Sequence, residues 1–161
     1  MACASCRCGS RERVTSGAAM ALSHVHVTHE FRAPVERVFA YLAEHENLAA
    51  LFGTRVERVR DGDTERNGVG SCRRLSFGGL LPFEETVTAF APNERIVYRI
   101  TKGSPMRDHE GVMAFAADGN GGTRLDYTIQ LGSPLPGLAP LVARVLHGNI
   151  ARGLRKLDRD V

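Results

Sequence analysis

Between residues 54 and 131 the sequence repeats one pattern six times: a short stretch of alternating apolar and polar residues, then a turn. A period of two sends successive side chains to opposite faces of a strand. The turns are too short to hold a crossover helix, so neighbouring strands run antiparallel. Asp61-Gly62-Asp63, Gly78-Gly79, Pro92-Asn93 and Asp118-Gly119-Asn120-Gly121-Gly122 supply the residues that tight turns favour. The last stretch, TRLDYTIQL, is the cleanest: Leu125, Tyr127, Ile129 and Leu131 point one way, Arg124, Asp126, Thr128 and Gln130 the other. An apolar sheet face needs a cover. Only the segment after Pro134 and Pro136 is long enough to be one. As a helix it carries Leu138, Leu141, Val142, Val145, Leu146, Ile150, Leu154 and Leu157 as its apolar positions, with Arg144, Arg152, Arg155 and Arg159 towards solvent.

Ahead of the sheet, HVHVTHEF reads as a first strand ending at Ala33-Pro34, and proline suits a helix's first turn. In PVERVFAYLAE, Val35, Val38, Phe39 and Leu42 share one helical face; HENLAALF is a second short helix, stopped at Gly53. The expectation is one α+β domain over residues 22–161: strand, two short helices, six strands, long helix.

With 161 residues, 43% of them hydrophobic, the chain has material for a single core; without Trp and with only 6% aromatics, that core is mostly aliphatic. A net charge of +3 is too small to argue for nucleic acid, and none is expected as a partner. Charges interrupt every apolar run, so no membrane span is expected, and the first residues lack the apolar stretch of a secretory signal. A cytoplasmic monomer or homodimer is the expectation. Residues 1–21 read as a small, polar, disordered leader, with Met20 an alternative start. In that leader Cys3, Cys6 and Cys8 offer three soft ligands, one short of a zinc site, and Cys72 lies far off in a strand. No metal is expected, and without a phosphate-binding glycine loop no cofactor is either.

Four stretches, in their order and spacing, carry a likeness to a known group: FRAPVERVFAYLAE, GVGSCRRLSFGG, APNERIVYRITKG and GNGGTRLDYTIQL. The chain resembles the START-like or SRPBCC superfamily, in its polyketide cyclase/dehydrase and lipid-transport branch. The resemblance implies a helix-grip fold, a curved antiparallel sheet of about seven strands wrapped around a long C-terminal helix with an internal cavity between them. Members of the superfamily include cyclases and carriers of lipids and hydroxysteroids, and they share no catalytic constellation that transfers to this chain. Similar proteins often have Trp where this one has Phe39 or Phe52, which implies a differently lined cavity.

On the sheet's inner face the candidates are Leu75, Phe77, Ile96, Tyr98, Met113, Phe115, Leu125, Tyr127 and Ile129, of which the aliphatic ones read as core packing. Arg73 shares the face of Leu75 and Phe77. A guanidinium there needs a partner, because a buried unpaired charge is very costly, and Glu85 in the next strand can supply one. A register slip of one residue would instead put Arg73 in water and Arg74 inside. His109 is in phase with Met113 and Phe115 and so points at the pocket mouth, but Asp108 and Glu110 beside it favour a surface position, which is the expectation. Tyr98 and Tyr127 can hydrogen-bond a carbonyl or simply pack. Asn149, between Gly148 and Gly153, suits a helix that leaves room for a guest and offers it an amide, the alternative being a place at the stripe's edge facing water; each glycine costs that helix about 1 kcal/mol relative to alanine. With Phe52 and Leu146 these complete the expected ligand-binding set, and Arg73, Tyr98, His109 and Tyr127 are the candidates for catalysis. The primary expectation is binding of a hydrophobic small molecule such as a lipid or polyketide. The alternatives are a cyclase/dehydrase-type enzyme acting by acid–base steering, and a regulatory module working through its basic C-terminal helix.

Overall fold

The computed structural model describes residues 22–77 and 80–161; the leader with its three cysteines and Met20, and the Gly78-Gly79 turn, lie outside the described residues. In chain order the elements are β1 (Ser23–Phe31), α1 (Val35–Ala43), a 3₁₀ turn (His45–Asn47), α2 (Leu48–Phe52), β2 (Arg55–Arg60), β3 (Cys72–Phe77), β4 (Leu80–Ala91), β5 (Arg95–Lys102), β6 (Arg107–Ala117), β7 (Thr123–Gly132) and α3 (Leu138–Leu157). The strands form one antiparallel sheet in the order β1-β7-β6-β5-β4-β3-β2. Strands β2 to β7 follow each other as a meander, while β1 closes on β7. Because β1 and β2 are the two edges, the connection between them spans the sheet, with α1 on β6 and β7 and α2 on β2 and α3. This is the helix-grip fold, and register shifts in four of the strand pairs accompany the sheet's curvature.

The alternation read from the sequence holds in three dimensions. Leu125, Tyr127, Ile129 and Leu131 are all buried, and Tyr127 pairs with Val27 on one side and Met113 on the other. At one end α1 closes the core: the Phe39 ring meets those of Phe90 and Phe115 edge-on, with centroids 5.2 and 5.1 Å away. Pro34 caps α1 from one position further out than its first turn, its carbonyl accepting from the Arg37 and Val38 amides. Arg58 holds the β2–β3 connection against the helical corner, donating to Glu44 Oε1 (2.5 Å), Asn67 Oδ1 (2.6 Å) and the Arg66 carbonyl (2.9 Å).

The long helix departs from its reading. Its buried face is Ala139, Ala143, Ile150, Leu154 and Leu157, whereas Leu141 and Val145 are 60% and 52% exposed. The cause is helical phase. At 3.6 residues per turn Leu141 and Val145 fall well round from the Ile150–Leu154 line, beyond the reach of the sheet. Two small residues, Ala139 and Ala143, face inward on the first half of the helix, and Leu138, Val142 and Leu146 are only half-buried beside them.

Candidate functional site

The half-buried stripe of α3 borders a cavity of about 230 Å³ between that helix and the sheet. Leu75, Tyr98, Ile129 and Leu131 form its sheet wall, Leu138, Val142 and Leu146 its helical wall, and Phe52 of α2 one end. Leu81 lines it while 76% exposed, so the cavity reaches the surface at the β3–β4 hairpin. Met106 and the short loop at Ser104-Pro105 border it as well. The volume exceeds the roughly 150 Å³ void that takes a benzene and falls short of drug-sized pockets, which suits a guest of roughly ten carbon atoms.

Against this apolar lining stands one polar patch, Glu85 and His109 with Tyr98 beside them. Behind it lies Arg73, 1% exposed. Its Nε donates to Glu85 Oε2 at 2.9 Å, and Nη2 lies 2.7 Å from the same oxygen as an ion contact without hydrogen-bond geometry. The guanidinium also stacks over the Tyr98 ring, 4.2 Å from its centroid. Burial works against the charge on Arg73, but Glu85 together with Tyr98 and Tyr127 more than offsets it and the arginine pKa is raised. The Tyr98 hydroxyl hydrogen-bonds that of Tyr127, and burial pushes both phenols above their usual range. Gly111 makes this contact possible. It pairs with Tyr98 across β5–β6, and a Cβ there would come within 2.1 Å of the Tyr98 ring, so only glycine lets the ring cross β6 to reach β7.

His109 corrects an expectation. Its side chain is 7% exposed and faces inward. Asp108 takes a left-handed conformation, φ 50°, where the β6–β7 register slips, and His109 keeps the inward phase of Gly111, Met113 and Phe115 despite its charged neighbours. The Ile100 amide donates to His109 Nδ1 at 3.2 Å, and Nε2 lies 3.7 Å from Glu85 Oε1. Burial, assisted by Arg73, lowers the His109 pKa, so the ring is neutral near pH 7 with its proton on Nε2.

Of the expected ligand-binding residues, Phe52, Leu75, Glu85, Tyr98, Ile129 and Leu146 meet at the cavity, as does His109. Arg73 is inward, as its pairing with Glu85 required, but one layer behind the lining. Met113, Phe115 and Tyr127 pack in the core and do not border the cavity, because the α1 end of the same face is filled; the Phe77 side chain lies outside what is described. Asn149 is not a free amide. Its Nδ2 donates to the Phe52 carbonyl at 3.0 Å and ties the end of α2 to α3. Gly153 has a related purpose, since a Cβ there would sit 2.8 Å from Leu51 Cα, so the glycine lets the two helices touch. Sequence reasoning missed Leu131, Leu138 and Val142 as lining. Their signal was present, in the continued alternation after Ile129 and in the i, i+4, i+8 spacing with Leu146.

None of the curated proteins matches the chain in sequence. Among solved structures it is similar to a START superfamily protein from Mycobacterium smegmatis, 21% identical over 86% of this chain and 96% of that one, with a TM-score of 0.67. A protein from Thermus thermophilus is 22% identical over 85% and 95% of the two chains, TM-score 0.67. The Zhui aromatase/cyclase from a Streptomyces species is 20% identical over 86% and 94%, TM-score 0.65. At these identities the likeness is one of fold. The sequence match is broader: residues 23–161 fit the family described as polyketide cyclase / dehydrase and lipid transport, from the first strand to the end of the last helix, and the chain belongs to that family.

Proposed function

We propose that this protein binds a hydrophobic small molecule in the cavity between the sheet and the first half of α3. One observation carries the reading. A core closed tightly by aromatic contacts at one end leaves about 230 Å³ of apolar-lined space at the other, reaching the surface at Leu81. Protein interiors pack at crystal-like density, and a lined, accessible space with a small polar patch is the usual form of a ligand site.

The second reading, cyclase/dehydrase-type acid–base chemistry, draws support from His109 and Glu85, an imidazole and a carboxylate side by side on the wall. It gains little from the other candidates. Tyr98 and Tyr127 hydrogen-bond each other and hold their protons tightly, and Arg73 is ion-paired with Glu85 behind the lining. A role confined to the basic face of α3 would leave the cavity without a purpose.

The test is native mass spectrometry of the protein as purified, followed by titration with a panel of small apolar compounds. A 1:1 adduct, lost in Leu146→Trp, which fills the cavity, is the expected result. A bare protein mass across the whole panel overturns the reading.

A further inference from the structure

The polar patch has a definite hydrogen-bonding sense. The Ile100 amide occupies His109 Nδ1, so Nε2–H is a donor, and it has no hydrogen-bond partner among the described residues. Arg73 engages Glu85 Oε2 and leaves Oε1 as an acceptor facing Nε2. The two atoms are 3.7 Å apart, too far to bond each other. An oxygen seated about 2.8–2.9 Å from both fits that span, accepting from Nε2–H and donating to Oε1. Only a group that is donor and acceptor on one atom satisfies both.

Charge sharpens the choice. The guanidinium of Arg73 sits behind Glu85 and over the Tyr98 ring, so a ligand meets the carboxylate first. An anionic head group would be pressed against Glu85 Oε1, with desolvation added to repulsion. Lys102 and Arg107 are exposed and outside the lining, and the rest of the described wall offers an apolar body no competing charge.

We propose that the cavity selects a neutral hydroxyl compound, a phenol, enol or alcohol on an apolar body, whose oxygen bridges His109 Nε2 and Glu85 Oε1. The proposal rests on the ligand-binding reading above and narrows its ligand class. His109 and Glu85 become the specificity-determining pair, and Arg73 a positioning residue that fixes which carboxylate oxygen faces the cavity.

The experiment compares three probes on the unaltered protein at pH 7: 2-naphthol, its methyl ether and 2-naphthoate. The chain has no Trp, so naphthyl fluorescence reports binding cleanly. 2-Naphthol is expected to bind at least tenfold more tightly than the ether, which can accept but not donate, and naphthoate is expected to bind weakest. His109→Leu removes the donor that both naphthol and ether accept from, so both should weaken by about tenfold, while the preference for naphthol, which Glu85 Oε1 sets, is retained. Equal affinities for naphthol and ether, or a preference for naphthoate, overturn the hydroxyl selection and leave ligand binding standing. If none of the three binds, the ligand-binding reading falls and this proposal with it.

Discussion

The inner face of one sheet ends in two different ways. Under α1, Phe39, Phe90 and Phe115 lock edge to face and the core is full. Under the first half of α3 the same alternating face presents Tyr98, Ile129 and Leu131 to open space. The strands do not make the difference, since β5 supplies Ile96 to the packed core and Tyr98 to the cavity wall two residues on. The cover makes it. On α1 a bulky aromatic fills the gap, whereas the first half of α3 faces the open space with only half-buried Leu138, Val142 and Leu146, and its far half is held by Ile150, Leu154 and the Gly153–Leu51 contact. The cavity is thus a property of how the covering helix sits on the sheet as much as of the sheet's own residues.

Mutations should separate the two ends and the buried ion pair between them. Arg73→Met leaves the Glu85 carboxylate buried without its partner, and a loss of about 3–5 kcal/mol in urea unfolding is expected. The double variant Arg73→Met/Glu85→Leu should recover a large part of that loss, because an apolar pair can replace a buried ionic one. At the packed end Phe39→Ala should cost about 3–5 kcal/mol through the void it opens. Leu146→Ala, at the cavity, should cost under about 2 kcal/mol and act mainly on ligand affinity, because its side chain already borders space. Equal losses at both sites would erase the contrast.

Acid should act on the corner beside them. His45 is buried, with Nε2 at 3.3 Å from Ser71 Oγ, and burial followed by Arg73 and Arg58 lowers its pKa from 6.5 to about 3. The unfolded chain therefore takes up a proton that the folded one refuses. Stability is fully present above pH 6.5 and is lost as the pH falls towards 3, by about 2 kcal/mol at pH 5. His29 and His109, also lowered chiefly by burial, contribute with the same sign. Urea midpoints from pH 7.5 to 4.5 check this, and His45→Gln should flatten the slope. The smallest effect is at Asn149→Ala, about 1 kcal/mol from the lost bond to the Phe52 carbonyl, with ligand affinity little changed. A large loss of affinity there would return Asn149 to the binding site.

Much of this was legible in the sequence. Alternation and turn residues gave the strands and their antiparallel order, and of the two registers open for Arg73 the inward one already named Glu85 as its partner. What local patterns carry poorly is the depth of coverage. Met113, Phe115 and Ile129 have the same phase, yet only Ile129 reaches the cavity, because the covering helices differ. His109 was obscured by Asp108 and Glu110, whose charges argue for water although the phase of the strand argues inward. Asn149 was legible as an oddity but not as a bond to α2, since no periodicity reports where another helix will end. Gly111 carried an unused signal, a glycine in the inward phase of a strand, where another side chain must cross.

The most direct measurement is methyl NMR of the protein titrated with a small neutral naphthyl compound. Shifts confined to Leu75, Ile129, Leu131, Val142 and Leu146, with Val38 and Leu42 on the buried face of α1 unmoved, are expected if the open end of the core is the binding site. Shifts at the exposed Leu141 and Val145 alone, or none at all, would contradict it.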